Sequence, residues 1–303
     1  MTTQASSDSV FAFRTIDRLY RLDDGGQPKL DVAWSQGPLA PRQIASDSAG
    51  GLYIAGTVAD ELHTSKSTIT APRHGRVEAL VHLDSTGTIV WATALPGLAP
   101  QSTTALAVAT DGTALVFGAA HDAVVPAFAR VDPSGAVTAA RSLEVHDTSG
   151  FTFPSSIDEA APDGQRGFFV AGSVRSAALA FGDGDTLPQG AFIARLDDSD
   201  KLRWARALGD DLEGLAADAA GGALLGMRGA SPYVLSVDAD GAVTRRYDLA
   251  LPESCATQVV EAVFGATSAD LFIAATCQPF DNGYPTASPA GKATLFVGLV
   301  TRP

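Results

Sequence analysis

"AFIARLDDSDKLRWARAL", residues 191–208, reads as an apolar strand, an Asp-rich turn and a second strand. Nearly the same pattern returns at "ALVHLDSTGTIVWATAL" (79–95), "AFARVDPSGAVTAARSL" (127–143) and "YVLSVDADGAVTRRYDL" (233–249). An aspartate opens the turn in each copy, as Asp84, Asp132, Asp197 and Asp238. Asp suits that place because its side chain accepts hydrogen bonds from the backbone just ahead and so folds the turn locally. The four aspartates are 48, 65 and 41 residues apart, the spacing of a repeated supersecondary unit.

A shorter hairpin alternates with the first. It appears as "QIASDSAGGLYIAGT" (43–57), "ALAVATDGTALVFGAA" (105–120), "SIDEAAPDGQRGFFVAGS" (156–173), "GLAADAAGGALLGMRG" (214–229) and "QVVEAVFGATSADLFIAAT" (258–276). Each has an apolar half, a turn carrying Gly or Asp, and a second half that often ends in small residues. Two hairpins per unit make four strands, and one four-stranded sheet covers neither of its faces until neighbours stack on it. The expected architecture is all-β: a β-propeller of four-stranded antiparallel blades, about five by direct count. Residues 1–9 read as a flexible tether and 10–303 as one propeller domain.

The ends carry a closure signal. "ATLFVGLVT" (293–301) matches the first strand of the quoted hairpin and lacks a partner, while "KLDVAWSQGPLAPRQIASDSAGG" near the N-terminus matches "LRWARALGDDLEGLAADAAGG" (202–222). Pairing of N- and C-terminal strands would then close the ring and remove a sheet edge. "VFAFRTIDRLYRLD" (10–23) is left over; it adds a strand, caps the closing blade, or belongs to a sixth blade.

The stretch "FGDGDTLPQGAFIARLDDSDKLRWARALGDD" (181–211), with a Gly-rich loop, an LD strand and a Trp strand in that order, resembles the bacterial SBBP-type β-propeller repeats of myxobacterial-like secreted and lipoprotein-like proteins. The resemblance recurs more weakly over 78–117 and 280–299 and covers most of the chain from about residue 30. It implies a propeller fold outside the cytoplasm and assigns no activity.

Composition agrees with a folded chain: 46% hydrophobic, 18% charged, with 30 Gly and 17 Pro. A formal charge of -13 would repel phosphate backbones, which argues against nucleic acid as a partner. Arg73, His74 and Arg76 form a local basic patch that could hold an anion. No apolar run is long enough for a transmembrane helix, and "MTTQASSDSV" shows no signal peptide. Read literally that means cytoplasmic; read as a tether left by a removed signal or lipid anchor, it means extracellular, periplasmic or cell-surface. Cys255 and Cys277 flank a predicted hairpin and would fall opposite each other, so a disulfide is geometrically open to them. A disulfide fits the oxidising compartment; two buried free thiols fit the cytosol.

If the turns lie on one face of the disc, the long connections gather on the other, at 58–76, 144–155, 174–190 and 278–292. Loops on a rigid scaffold carry binding sites. Phe151, Phe153, Phe280 and Tyr284, beside Asp147, Asp281 and Asn282, suit stacking on a sugar or anchoring a protein; they also suit plugging gaps between blades. His63 and His146 come from the same loop set. Asp183 and Asp185 are the best calcium candidates, although no complete ligand pattern accompanies them, and no other cofactor is implied. Trp34, Trp91 and Trp204 share one repeat position and read as packing residues. The expected role is a module that binds a protein or glycan through the loop-rich face. The rival is a hydrolase or lyase drawing acids and histidines to the central channel from among Asp60, Glu61, His63, His121, Asp122, His146, Asp147, Asp210, Asp211 and Glu213.

Overall fold

The computed structural model describes residues 39–249 with their side chains, save 65–67, 73–74, 121–124, 145–154, 176–178, 182–185, 218–220 and 230. It adds the backbone of 145–146 and 178 and of the strands within 11–33 and 257–301.

All regular structure among the described residues is β. The first sheet is β1 (Phe11–Arg14), β2 (Arg18–Leu22) and β3 (Pro28–Ala33). Blade 1 follows, from β4 (Leu39–Ser46), β5 (Leu52–Val58), β8 (Val77–Leu83) and β9 (Ile89–Ala94), with the small hairpin β6 (Glu61–His63) and β7 (Thr68–Thr70) inserted between β5 and β8. Blade 2 is β10 (Ala105–Val108), β11 (Ala114–Ala119), β12 (Pro126–Val131) and β13 (Val137–Ser142). Short β14 (Glu144–His146) precedes blade 3, which is β15 (Ser156–Pro162), β16 (Phe168–Val174), β18 (Gly190–Leu196) and β19 (Leu202–Ala207); β17 (Ala178–Ala180) lies between β16 and β18 and pairs with β14. Blade 4 is β20 (Asp211–Ala217), β21 (Ala223–Arg228), β22 (Tyr233–Val237) and β23 (Val243–Asp248). The last sheet is β24 (Thr257–Gly265), β25 (Asp270–Gln278) and β28 (Thr294–Thr301), with β26 (Phe280–Asp281) and β27 (Tyr284–Pro285) paired between the latter two.

Strand order within each blade is sequence order, all antiparallel. The first strands β4, β10, β15, β20 and β24 stand side by side in that succession, as the inner strands of a β-propeller. The five short hairpins are the two inner strands of five sheets, and the quoted hairpin is the two outer strands of four of them. β2 and β3 form a further copy of the outer hairpin. The same single-residue bulge interrupts third–fourth strand pairing at Arg21/Leu22, His82/Leu83, Arg130/Val131, Arg195/Leu196 and Ser236/Val237.

The leftover N-terminal segment therefore becomes β1 and β2 of a sheet beside β4. The N- to C-terminal pairing expected to close the ring is not among the described pairings: β3 pairs with β2, and β28 with β25. A hairpin partner adjacent in sequence needs far less loop closure than one at the other end of the chain, and the lower entropy cost favours it.

Blades stack through alternating rows. Phe168 and Val170 of β16 pack with Leu115, Phe117 and Phe128 of blade 2, whereas Phe169 and Ala171 pack with Leu225, Met227 and Val237 of blade 4. This is the period-2 alternation of a strand whose two faces are both covered, and it is why β5 and β12 are buried at every position. Each such Phe contributes about 1.5–3 kcal/mol by leaving water.

Outer turns are clasped by the preceding blade. Trp91 Nε1 donates to Pro133 O of the blade 2 turn at 3.0 Å, and Trp204 Nε1 to Ala239 O of the blade 4 turn at 2.8 Å. Under each indole lies a turn glycine, Gly135 (φ 90°) or Gly241 (φ 83°), where a Cβ would come within 2.8 or 2.9 Å of the ring. Blade 2 has Ala139 at the tryptophan position, paired with Arg130. Its neighbour's turn carries Asp200 at φ 61° in place of glycine, and Arg130 closes on that carboxylate at 2.6–2.7 Å while Arg141 donates to its carbonyl at 2.9 Å. Removing the indole makes room for an ion pair, so the two clasps are alternative solutions to one packing problem. Trp91 and Trp204 are packing residues as expected; Trp34 lies outside the described residues.

Candidate functional site

The turns within both hairpin types lie on one face of the disc, and the connections between hairpins on the other. On the turn face the aspartates are consumed by their own backbone. Oδ1 of Asp84, Asp132, Asp197 and Asp238 each accepts two N–H groups, two and four residues on, at 2.8–3.0 Å. The Thr86 and Ser134 hydroxyls donate to Asp84 and Asp132 and hold both carboxyls below the usual range. Asp197 is also lowered: burial works against it, but the Lys201 and Ser199 N–H groups outweigh that. Asp163 Oδ1, in a short-hairpin turn, accepts the Gln165 and Gly167 N–H groups at 2.6 and 2.8 Å, and its Oδ2 pairs with Arg195 at 2.9 Å.

The opposite face carries the additions. β6–β7, β17 with β14, and β26–β27 all occupy connections that leave on this side. Here the inner strands are also irregular: pairing with the second strand skips one residue at Pro41/Gln43, Ile157/Glu159, Leu212/Gly214 and Val260/Ala262. The skipped residues are Arg42, Asp158, Glu213 and Glu261, all charged. A bulge frees a residue from the ladder and re-aims it, and on an innermost strand that places the charges of Arg42, Asp158 and Glu213 at the channel mouth. The sheet has adapted to it. Gly56 and Gly172 sit on the second strand beside the bulges, where a Cβ would strike the Ala40 and Ser156 carbonyl oxygens.

Three acids meet across this mouth. Glu159 is half-buried and makes no hydrogen bond or ion pair among the described residues. Its carboxyl is pushed up to about 8, first by burial and then by the charges of Asp158 and Glu213. Burial raises Asp158 too, against the Ser156 hydroxyl at 2.9 Å and the charge of Arg175. Glu213 is paired with Arg228. A carboxyl kept protonated near neutral pH beside others that ionise can donate a hydrogen bond or a proton. Blade 2 contributes no charge here. Its equivalent segment is tied down instead: buried Glu78 accepts from Thr57 Oγ1 at 2.8 Å, from Gln101 N at 2.9 Å and from Thr103.

Of the residues singled out in the sequence, Glu213 is at the mouth. His63 is exposed in β6, with Nε2 3.2 Å from Glu61 and Nδ1 3.1 Å from Thr68 Oγ1. Asp210 accepts from Tyr233 Oη at 2.6 Å, and Asp211 opens β20 opposite Arg228. Phe280 and Asp281 form β26, with Asp281 opposite Tyr284 of β27; His146 ends β14 opposite Ala178. Cys277 lies in β25 opposite Gln258 and Thr294, while Cys255 falls outside the described residues. So do His121, Asp122, Asp147, Phe151, Phe153, Asp183 and Asp185. Among the described residues no group of three or more His, Cys, Asp or Glu could hold a metal ion, and no helix is long and apolar enough to cross a membrane.

Arg42, Asp158 and Glu159 are the residues that sequence reasoning missed. Their signal is a charge that breaks the apolar alternation in "APRQIAS", "SIDEAAP" and "DLEGLAA", matched by a glycine late in the second strand of each hairpin.

No protein-family model matches the chain, and no curated protein matches it in sequence. Solved structures do. A Bacteroides caccae protein of unknown function superposes with a TM-score of 0.54 at 14% identity, over 93% of this chain and 85% of that one. Hydrazine synthase of Kuenenia stuttgartiensis gives 0.52 at 11% identity over 99% and 83%. BamB of Moraxella catarrhalis gives 0.45 at 15% identity over 90% and 80%. The two superpositions above a TM-score of 0.5 show a shared fold, and identities this low leave function to the residues.

Proposed function

We propose that this chain is an extracellular, periplasmic or cell-surface β-propeller of the SBBP repeat type that binds a protein or glycan on its insertion-bearing face, centred on the channel mouth. The observation that carries the reading is the asymmetry of the acids. On the turn face they are satisfied by backbone; at the mouth Glu159 has no partner among the described residues and stands beside Asp158 and Glu213. Burying an unpaired acid lowers stability, so its retention on the face that also carries the inserted hairpins supports a role in recognition. A protonated Glu159 would donate to a carbonyl or sugar oxygen, and the ionised neighbours would accept hydroxyl or ammonium protons.

A printed glycan array, and photo-crosslinking from position 61 to intact cell envelopes, test this. Binding that disappears when 59–76 is replaced by a two-residue turn, with the melting temperature kept, supports the reading. Binding that survives both that replacement and Glu159→Gln contradicts it. The raised carboxyl also favours a second reading, a hydrolase or lyase with Glu159 as general acid and Asp158 or Glu213 as the ionised partner. Release of reducing ends or unsaturated products from polysaccharides, abolished in Glu159→Gln, would select it.

A further inference from the structure

A cleft of about 420 Å³ opens in the blade 1 insertion, away from the inner-strand bulges, and is lined by Asp60, Glu61, Thr70, Pro72, Gly75 and Arg76 together with two alanines. Glu61 is occupied, by His63 at 3.2 Å and the Thr70 hydroxyl at 3.5 Å. Neither the Asp60 carboxylate nor the Arg76 guanidinium forms an ion pair among the described residues, with each other or with anything else. Both side chains are exposed, and the backbone that carries them is fixed: Ala71 N donates to Asp60 O at 2.8 Å, and Gly75 N donates to Pro72 O at 2.7 Å in the turn that leads to Arg76.

We infer that this cleft is a binding site for a small zwitterion of the α-amino-acid class, its carboxylate on Arg76 and its ammonium on Asp60. Guanidinium matches carboxylate through paired N–H donors, and the Asp60 carboxylate, with Glu61 beside it, suits an ammonium. The volume lies at the small end of the range for ligand sites. Thr70 supplies a neutral polar wall, and Pro72 with the alanines an apolar one. Among the described residues of this lining no aromatic ring offers the platform on which sugars stack, which favours the zwitterion over an acidic sugar.

Amide NMR spectra of the whole chain, titrated with the free α-amino acids one at a time, test the site. At least one amino acid is expected to shift the signals of residues 59–76 saturably, while its N-acetyl and methyl-ester forms, each lacking one charge, bind about tenfold more weakly or worse. Arg76→Gln and Asp60→Asn should each weaken the same amino acid about tenfold, with the remaining spectrum unchanged as proof of folding. Equal binding of the blocked forms, binding of glucuronate in place of amino acids, or no saturable shift from any amino acid would each overturn the inference. The probe here is a free amino acid read at residues 59–76, whereas the channel-mouth reading is read by glycan or envelope binding and by Glu159→Gln, so either can fail without the other.

Discussion

The two faces of the propeller use the same residue type to opposite ends. On the turn face an aspartate accepts two or more N–H groups from its own turn, and the turn is then gripped by a Trp or Arg of the preceding blade. On the insertion face carboxylates stand on bulges of the inner strands, and Glu159 has no partner among the described residues. The first arrangement lowers the carboxyls and ties acidity to stability; the second raises them and opposes stability. A fold that spends its aspartates on turns can afford a few uncompensated acids where a ligand arrives.

Substitutions on the turn face should therefore damage the fold, and those at the mouth should relieve it. The largest loss is expected from Trp91→Ala, which removes a 5% exposed indole together with its hydrogen bond to Pro133; about 3–5 kcal/mol is expected in urea unfolding. Arg130→Met leaves Asp200, itself 4% exposed, as an unpaired buried charge. Roughly 3 kcal/mol should be lost in urea unfolding.

Glu159→Gln should do the reverse. A carboxyl raised in the folded state binds its proton more tightly there than in the unfolded chain, so wild-type stability falls as pH rises from the ordinary Glu range through about 8. The variant should be more stable than wild type by roughly 1–3 kcal/mol above pH 8, a figure reduced because the mouth is open to solvent. The difference should vanish below the ordinary Glu range. Asp197→Ala is the smallest of the set, at about 1 kcal/mol for the turn hydrogen bonds. Its pH dependence has the opposite sign: lowered carboxyls such as Asp84, Asp132 and Asp197 contribute above the ordinary carboxylate range and lose that contribution as pH falls through their folded values. Thermal melts across a pH series check both signs.

The sequence made the turn face legible and the mouth much less so. Asp-rich turns recur with enough identity to reveal both hairpins, their alternation and the four-strand unit. A bulge displaces only one residue, so Arg42 and Asp158 looked like isolated charges in apolar strands. The glycine that accommodates each bulge, such as Gly56, read simply as a small residue at a strand end. The N-terminal sheet escaped for a related reason. "RLYRLDDGGQPKLDVAW" is a copy of the outer hairpin with the same five residues between its strands, and matching only its second strand assigned that strand to the wrong partner. Glu78 could not be foreseen at all, because its partners Thr57, Gln101 and Thr103 converge only after blades 1 and 2 have packed.

Side-chain carboxyl NMR titration compares the two faces in one experiment. The account predicts that Glu159 titrates near 8 while Asp132 and Asp197 titrate below the ordinary aspartate range. A Glu159 that titrates with the ordinary glutamates would contradict it, since the mouth would then hold only a solvated surface acid.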